Sequence, residues 1–356
     1  MFDSPGLTQA ERAWYQSQLA LPELGEAGQQ RLRASRVLVV GAGGLGCPVL
    51  MELAIAGVGF LRICEADTVE AHNLHRQPLY TATQVGQPKG RLARIRLQEM
   101  NPALQAEWEP RAFTQAHAAE MLHGMDLALD CGDNLELSFA MNDACLRAGV
   151  PLVCAAVHRW EGQVWSLKPG GPGGCLRCLW PQQPPEASSC TRSGVLGAIT
   201  GLVGSWQAVE ALRLLLHLPH TLEEEMLLVD VRESSLRRVR RQRRQGCPAC
   251  SPHPEIPVMA PHVDEQEVEG QDAQLSAWRH ATVVDLREVG EPGCPIPPGL
   301  RVIHRPLSGL HFPDHGLPED DLLVVCAHGV RSLWVVNRLR ALGHERCWSL
   351  KGGMER

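Results

Sequence analysis

The sequence predicts an α/β protein in two parts: a mostly parallel sheet covered on both faces by helices, then a smaller α/β unit. Three observations carry this. From Arg36 onward, short apolar runs alternate with segments of helical period, the pattern of parallel strands joined by crossover helices. A glycine-rich loop follows the first run. Near residue 251 a Pro-rich stretch that turns acidic interrupts the pattern, and a second, shorter alternation follows it. The 356 residues leave room for two domains of roughly 100–200 residues each.

The elements follow in order. Arg36–Val40 (RVLVV) reads as a strand that enters GAGGLG at Gly41–Gly46. The apolar stretch after it, with Pro48 suited to a first helical turn, reads as a helix. Leu61–Glu65 is the next strand. Gly90–Met100 is helical by the spacing of Leu92, Ile95 and Leu97. Leu127–Asp130 is a strand ending in the turn Cys131–Asn134, and Leu135–Ala148 returns as a helix. Val164–Leu167 and Met226–Val231 are later strands, and Gly197–Leu216 is a long helix. The composition of 251–272 is that of a linker. Beyond it come strand Ala281–Asp285, strand Leu322–Cys326, helix Arg331–Leu342 and a short strand near Cys347.

Composition excludes several classes. With 34 basic and 40 acidic residues the formal charge is −6, which is not that of a nucleic-acid coat. RRVRRQRR at Arg237–Arg244 is read as a solvated strand-and-turn face beside an acidic partner. No apolar run approaches the ~20 residues that span a bilayer. The N-terminus lacks a basic start followed by an apolar stretch, so no signal peptide and a cytoplasmic location are expected. In that setting 13 cysteines point to metal ligands or reactive thiols rather than disulfides.

Strand, then G-x-G-x-x-G, then helix is a phosphate cradle: glycines let the backbone approach an anion, and the helix N-terminus supplies N–H donors. Glu65, at the end of the next strand, can accept from a ribose. This much fits a nicotinamide or flavin oxidoreductase. The residues that follow fit a nucleoside triphosphate better. NLHRQ places Asn73 and Arg76 just past the acidic strand end, GQPKG places Lys89 at a helix start, and DCGDN places Asp133 and Asn134 at a strand exit. Arginine and lysine offset charge on outer phosphates, and an aspartate can hold Mg²⁺. The bland alternative makes Arg76 and Lys89 solvated loop charges.

Two C-x-x-C pairs, Cys175/Cys178 and Cys247/Cys250, lie far apart in sequence. Four thiolates can close a tetrahedral Zn²⁺ site, and paired knuckles are its usual form. Cys190 lies in the polar stretch EASSCTRSGVLG, as a reactive or an idle loop thiol. Cys326 ends an apolar strand and opens CAHGVRS before a helix. There a thiolate gains loop N–H donors and the helix's positive end, while Arg331 adds a fixed charge. Cys47, Cys64, Cys131, Cys145, Cys294 and Cys347 are read as structural.

GAGGLGCPVLMELAIAGVG, ADTVEAHNLHRQ, GQPK, LDCGDN, PLVCAAVHRWEGQV and GGCLRCLWP, in that order over about residues 10–250, resemble the MoeB/ThiF family of adenylating enzymes related to ubiquitin-activating enzymes. The resemblance implies a Rossmann-like adenylation domain at 1–250. It would use ATP and Mg²⁺ to adenylate the C-terminal glycine of a ubiquitin-like sulfur carrier ending in Gly-Gly. By position, Gly41, Gly43, Gly44 and Gly46 would form the phosphate loop and Glu65 would be the ribose acid. Asn73, Arg76 and Lys89 would contact phosphates, Asp133 would hold Mg²⁺ beside Asn134, and Cys175, Cys178, Cys247 and Cys250 would hold Zn²⁺. Cys190 matches a cysteine that bonds covalently to the carrier in relatives. One departure is Ser17, which stands where the family often has an arginine that reaches the partner subunit's triphosphate. Either Arg12 or another arginine replaces it, or adenylation is weak.

Over about residues 273–356, CAHGVRS, VVDLRE (Val283–Glu288) and LKGGM (Leu350–Met354) resemble the rhodanese family. That implies a Cys326 persulfide charged by a donor such as a cysteine desulfurase. EPGCPIPPGL departs from the family's G-H-I-P-G-A, and the chain ends at Arg356 where longer members continue. Together the resemblances imply a homodimeric adenylyltransferase and sulfurtransferase serving molybdopterin, thiamin or tRNA thiolation, without membrane or nucleic acid. Two other readings stay open: a Rossmann-type NAD(P)/FAD oxidoreductase with a sulfur-handling module, and a non-catalytic scaffold for a ubiquitin-like partner.

Overall fold

Val37–Val40 alternate between two hydrophobic cores, Val37 and Val39 on one side and Leu38 and Val40 on the other. A strand buried on both faces belongs in the middle of a parallel sheet, and that is where β1 (Arg36–Val40) lies in this computed structural model. The structure describes residues 6–180, 194–219, 221–250, 267–268, 278–288, 291, 294–310, 312, 316–318, 320–327, 329–350 and 353–354. They divide into two compact units.

The N-terminal unit opens with helices α1 (Gln9–Trp14), α2 (Gln16–Leu19) and α3 (Gly25–Ala34), followed by β1 and α4 (Gly46–Ala56). Next come β2 (Phe60–Cys64), α5 (Lys89–Met100), β3 (Gln105–Glu109), α6 (Gln115–Leu122), β4 (Leu127–Asp130) and α7 (Leu135–Ala148). The unit closes with β5 (Leu152–His158), β6 (Glu161–Leu167), α8 (Leu176–Leu179), α9 (Gly197–Leu215), β7 (Glu225–Asp230) and β8 (Ser235–Arg240). The sheet order is β3-β2-β1-β4-β5-β6-β7-β8. β3 to β5 are parallel, and β6 to β8 continue as antiparallel neighbours. The order reverses between β1 and β4, so their C-terminal ends leave the crevice where such sheets bind ligands. Residues of α4, α5 and α9 pack with Val37, Val39, Leu61 and Ile63 on one face, and α6 and α7 cover the other.

The second unit contains β9 (Glu267–Val268), β10 (Thr282–Asp285), β11 (Arg301–His304), β12 (Leu322–Val325), α10 (Val330–Ala341) and β13 (Cys347–Leu350). Its sheet runs β11-β10-β12-β13-β9 with every pairing parallel. Alternation again fills two cores, Leu322 and Val324 facing α10 while Leu323 and Val325 face the other way.

Two sequence expectations need amendment. Glu267–Val268 lies in the stretch read as linker, yet it is the edge strand beside β13; two residues in acidic surroundings carry no periodic signal. Arg237–Arg244 is not wholly a solvated face. β8 is exposed, but Arg241 just after it is buried. Among the described residues no helix is long and apolar enough to cross a membrane.

Candidate functional site

The loop between β1 and α4 is built on backbone proximity. Gly41 has φ +96°, and a Cβ there would lie 2.8 Å from the Cys131 carbonyl oxygen; a Cβ on Gly46 would overlap the Gly41 carbonyl. Only glycine combines that left-handed φ with that close approach. The Ala42 N–H donates to Glu65 Oε2 at 2.7 Å, and Tyr80 O–H donates to the Ala42 carbonyl at 2.8 Å. Glu65 Oε1 accepts from the Asp67 N–H at 2.9 Å. The residue read as a ribose acid therefore also fixes the loop, and each oxygen keeps a lone pair for a further donor.

An arginine lies against this loop. Arg76 Cδ lies 3.4 Å from where a Gly44 Cβ would stand, and Thr200, near the start of α9, approaches the same point at 3.2 Å. The buried Asn73 accepts from Arg76 Nη2 at 3.0 Å, and Arg76 Nη1 reaches the His72 carbonyl and His75 Nε2. Asn73 thus orients the arginine. Lys89, the first residue of α5, is buried, with its ammonium 3.3 Å from the carboxylate of the largely exposed Asp67. Among the described residues this buried ammonium is held only by an exposed carboxylate, which suits an anionic ligand.

Asp133 is exposed in the turn after β4, and Asn134 caps α7 by accepting the Leu137 N–H at 2.9 Å. Three residues near this crevice were not singled out from sequence. Gln77 is buried, its Nε2 is 3.5 Å from a Gly43 Cβ position, and its Oε1 has no partner among the described residues. Gln207 on α9 donates to the Asp130 and Val153 carbonyls, tying the ends of β4 and β5. Asp130 is buried; burial raises its pKa against hydrogen bonds from Ser138 and the Gly132 N–H. Gln77 stood in the quoted NLHRQ, whereas nothing local marks the other two.

The four knuckle cysteines do come together. All their sulfurs lie within 4.8 Å of one another, with Cys175–Cys247 at 3.7 Å and Cys178–Cys250 at 3.4 Å. A tetrahedral zinc centre of four thiolates, with bonds near 2.3 Å, has sulfurs about 3.8 Å apart, so the donor set fits zinc in type and spacing. The Arg244 N–H donates to Cys178 Sγ at 3.3 Å, the kind of outer contact that tunes a metal thiolate. Burial and neighbouring thiols push Cys250 up to about 12 and Cys175 higher. At Cys178 burial opposes ionisation, but backbone N–H groups of Arg244 and Cys175 outweigh it and lower its pKa. Four crowded thiols would ionise together only around a cation. Arg177, inside the first knuckle, is paired with Asp143 of α7, and the Leu176 N–H donates to Asn142 at 2.8 Å.

In the second unit Cys326 follows β12 and is buried. Its sulfur accepts from the Gly329 N–H at 3.1 Å and the Ser332 N–H at 3.4 Å, with Ser332 Oγ at 3.4 Å. Ser332 is held by the Gly329 carbonyl and Ser349. The donors that a sulfur anion needs are thus in place. Arg331 pairs with Glu291, and Arg287 with Asp285 at 2.7 Å. Cys190 lies outside the described residues. Ser17 is exposed on α2, and Arg12 is paired with Glu26. Of the cysteines read as structural, Cys47, Cys64, Cys131, Cys145 and Cys347 are buried and Cys294 is half-buried. Burial pushes Cys47 and Cys64 up to about 12.

Comparison with known proteins agrees with this geometry. The ThiF family pattern matches residues 15–249. The chain is 42% identical over 253 residues to the sulfur carrier protein adenylyltransferase of Thermus thermophilus, covering 69% of this chain and 93% of that protein. It is 37% identical over 332 residues to the adenylyltransferase and sulfurtransferase MOCS3 of Sus scrofa, covering 88% and 72%. Against other MOCS3 relatives the match spans little more than half their length, 57% and 55% in two cases. Among solved structures, E. coli MccB with succinimide superposes with a TM-score of 0.56 at 20% identity, covering 63% of this chain and 68% of that one. At that identity the likeness speaks for the fold alone.

Proposed function

The chain belongs to the ThiF family, and from that premise we propose that it adenylates the C-terminal glycine of a ubiquitin-like sulfur carrier and then converts it to a thiocarboxylate. The observation that carries the first half is Arg76 against Gly44 and Glu65 on the Ala42 N–H, with the buried Lys89 beside Asp67, whose N–H Glu65 also accepts. The relatives named above are adenylyltransferases, which does not favour an oxidoreductase or a scaffold.

In the first step a carboxylate oxygen of the carrier attacks the α-phosphorus of ATP. The bond from that phosphorus to the bridging oxygen breaks, and pyrophosphate leaves with the electron pair. Loop N–H groups and the start of α4 face the phosphates. Arg76, oriented by Asn73, and Lys89 stabilise the charge that moves onto the leaving group. Asp133 would hold Mg²⁺, which supplies further neutralisation when bound. The product is a mixed anhydride, so a poor electrophile now carries a good leaving group.

The second half rests on the Cys326 loop. Cys326, loaded with sulfane sulfur by a persulfide donor such as a cysteine desulfurase, attacks the acyl carbon through its outer sulfur, and AMP departs. A second thiol, for which Cys190 is the candidate, cleaves the acyl disulfide and releases the thiocarboxylate. An external dithiol reopens the resulting disulfide. Gly329 and Ser332 would stabilise the sulfur anion at each stage. We assign adenylation to 1–250 and sulfur transfer to the rhodanese-like 273–356, with zinc in the four-cysteine site, a homodimeric assembly and a cytoplasmic setting. The product would serve molybdopterin, thiamin or tRNA thiolation. The test is carrier-dependent ATP–pyrophosphate exchange, followed by mass spectrometry of the carrier C-terminus. Absence of exchange with every Gly-Gly carrier of the same organism would overturn the reading.

A further inference from the structure

Two serines are buried at the Cys326 loop, Ser332 in the first turn of α10 and Ser349 on β13. Ser332 Oγ lies 3.4 Å from Cys326 Sγ, 2.9 Å from the Gly329 carbonyl oxygen and 2.9 Å from Ser349 Oγ. Ser349 Oγ reaches the same Gly329 carbonyl only at 3.4 Å. A hydroxyl carries one proton and two lone pairs, so the direction of the Ser332 proton decides what the sulfur receives.

Both hydroxyls are shut away from water, so each must place its proton on a protein acceptor. For Ser349 the closer acceptor among the described residues is Ser332 Oγ. The Gly329 carbonyl already accepts the Leu333 N–H at 3.0 Å, so it is not orphaned when the Ser332 proton leaves it. A sulfur anion is the stronger acceptor, because hydrogen bonds to ionised groups are about twice as strong as neutral ones. A hydroxyl that accepts one hydrogen bond also donates more strongly. The chain Ser349 O–H to Ser332 Oγ, then Ser332 O–H to Cys326 Sγ, satisfies every one of these demands. Nothing in the sulfur-transfer steps above employs Ser349.

We propose that Ser349 is a positioning residue for sulfur transfer: its hydroxyl donates to Ser332 and thereby directs the Ser332 proton onto the Cys326 sulfur anion. The inference rests on the sulfur-transfer reading of Cys326 and is independent of adenylation. Ser349 acts through Ser332 and touches no reacting atom. The charged groups around the loop are Arg331, paired with Glu291, and Arg287, paired with Asp285. His304 is bonded to the Arg287 carbonyl, and the half-buried Cys294 gives its carbonyl to Arg287. Cys347, on the same strand as Ser349, turns its sulfur to the His344 and Val336 carbonyls. His328 lies outside the described residues. Removing the Ser349 hydroxyl alters none of these groups, so a change in Cys326 titration reports the relay.

The test uses the full-length protein with iodoacetamide as the probe. The rate of Cys326 alkylation is followed across pH by mass spectrometry of the Cys326 peptide, in wild type, Ser349→Ala, Ser332→Ala and the double variant. Ser349→Ala should raise the Cys326 midpoint by about one pH unit, the scale of one hydrogen bond to a charged group. Ser332→Ala should raise it at least as far, and the double variant no further than Ser332→Ala alone, because the two hydroxyls act in series. A wild-type midpoint lowered from the free-thiol value of about 8.5 but unchanged in Ser349→Ala would overturn the relay and leave the sulfur-transfer reading standing. A double variant shifted by the sum of the two single shifts would also overturn it. A wild-type Cys326 that titrates as a free thiol would overturn the sulfur-anion reading and this inference with it. Should Ser349→Ala not fold, Ser332→Ala decides: a midpoint equal to wild type removes the hydroxyl through which Ser349 must act.

Discussion

Arg177 and Asp143 form a two-pronged ion pair, 2.8 and 2.7 Å, with both side chains out of solvent. Arg177 belongs to the first cysteine knuckle, and Asp143 lies in the C-terminal half of α7, the helix that Asn134 caps just after Asp133. The guanidinium also lies 5.0 Å from the Phe139 ring centre on the same helix. The knuckle and the turn that bears Asp133 therefore share one rigid support. Asp143→Asn should leave a buried, uncompensated arginine and cost about 3–5 kcal/mol. Urea denaturation measures it, and a loss below about 1 kcal/mol would mean the pair behaves as a surface one.

At the nucleotide crevice, Asp133→Ala should abolish carrier-dependent pyrophosphate exchange while leaving the melting curve intact, because the residue is exposed and caps nothing. Exchange at the wild-type rate would remove Asp133 from the site.

Much of this was legible because it is local. RVLVV, GAGGLG and DCGDN each combine a strand end, a turn and a helix start within a dozen residues, and the structure places them as read. β3 (QAEWE) and β11 (RVIH) were not legible. Both are sheet edges with mostly exposed or half-buried side chains, so neither burial nor alternation writes itself into their residues. Arg177–Asp143 spans 34 positions, and no periodicity reports a pair across that distance. Arg241 was hidden by its neighbours: a run of arginines looks solvated as a whole, while one member turns inward to carbonyls contributed by the β6 end and the β7 approach.

For the cysteine cluster, purified protein should contain about one Zn²⁺ per chain. Cys247→Ser should reduce both metal content and melting temperature, since metal-binding energy is folding energy here. Metal-free protein with an unchanged melting curve would dispose of the zinc assignment.

Cys326→Ala should end thiocarboxylate formation from a persulfide donor while pyrophosphate exchange continues. Free sulfide should partly restore the product, because it can attack the adenylate directly. Mass spectrometry of the carrier decides; normal product from the persulfide donor would make the second unit a passenger.

Asp130 offers a pH signature. Burial raises its folded pKa, so its contribution to stability is complete below its unfolded value, about 3.9. It is lost as pH rises through the folded value. Asp130→Asn keeps an acceptor for the Gly132 N–H and removes the charge. The melting temperature of the variant relative to wild type should therefore rise as the pH is raised above about 4. A difference that stays flat or falls would show that the carboxylate is better solvated than its position implies.

The eight-stranded sheet stops at β8, and among the described residues no strand pairs with its outer side. An open edge is an invitation to aggregate, since unpaired backbone groups can template another chain. Arg237, Arg238 and Arg240 line this edge, exposed. Arg238 is paired with Glu225, but a second molecule arriving edge to edge would still bring Arg237 and Arg240 against like charges, which opposes strand pairing. Neutralising them with glutamine should leave the fold untouched and shorten the time the protein stays dispersed at high concentration.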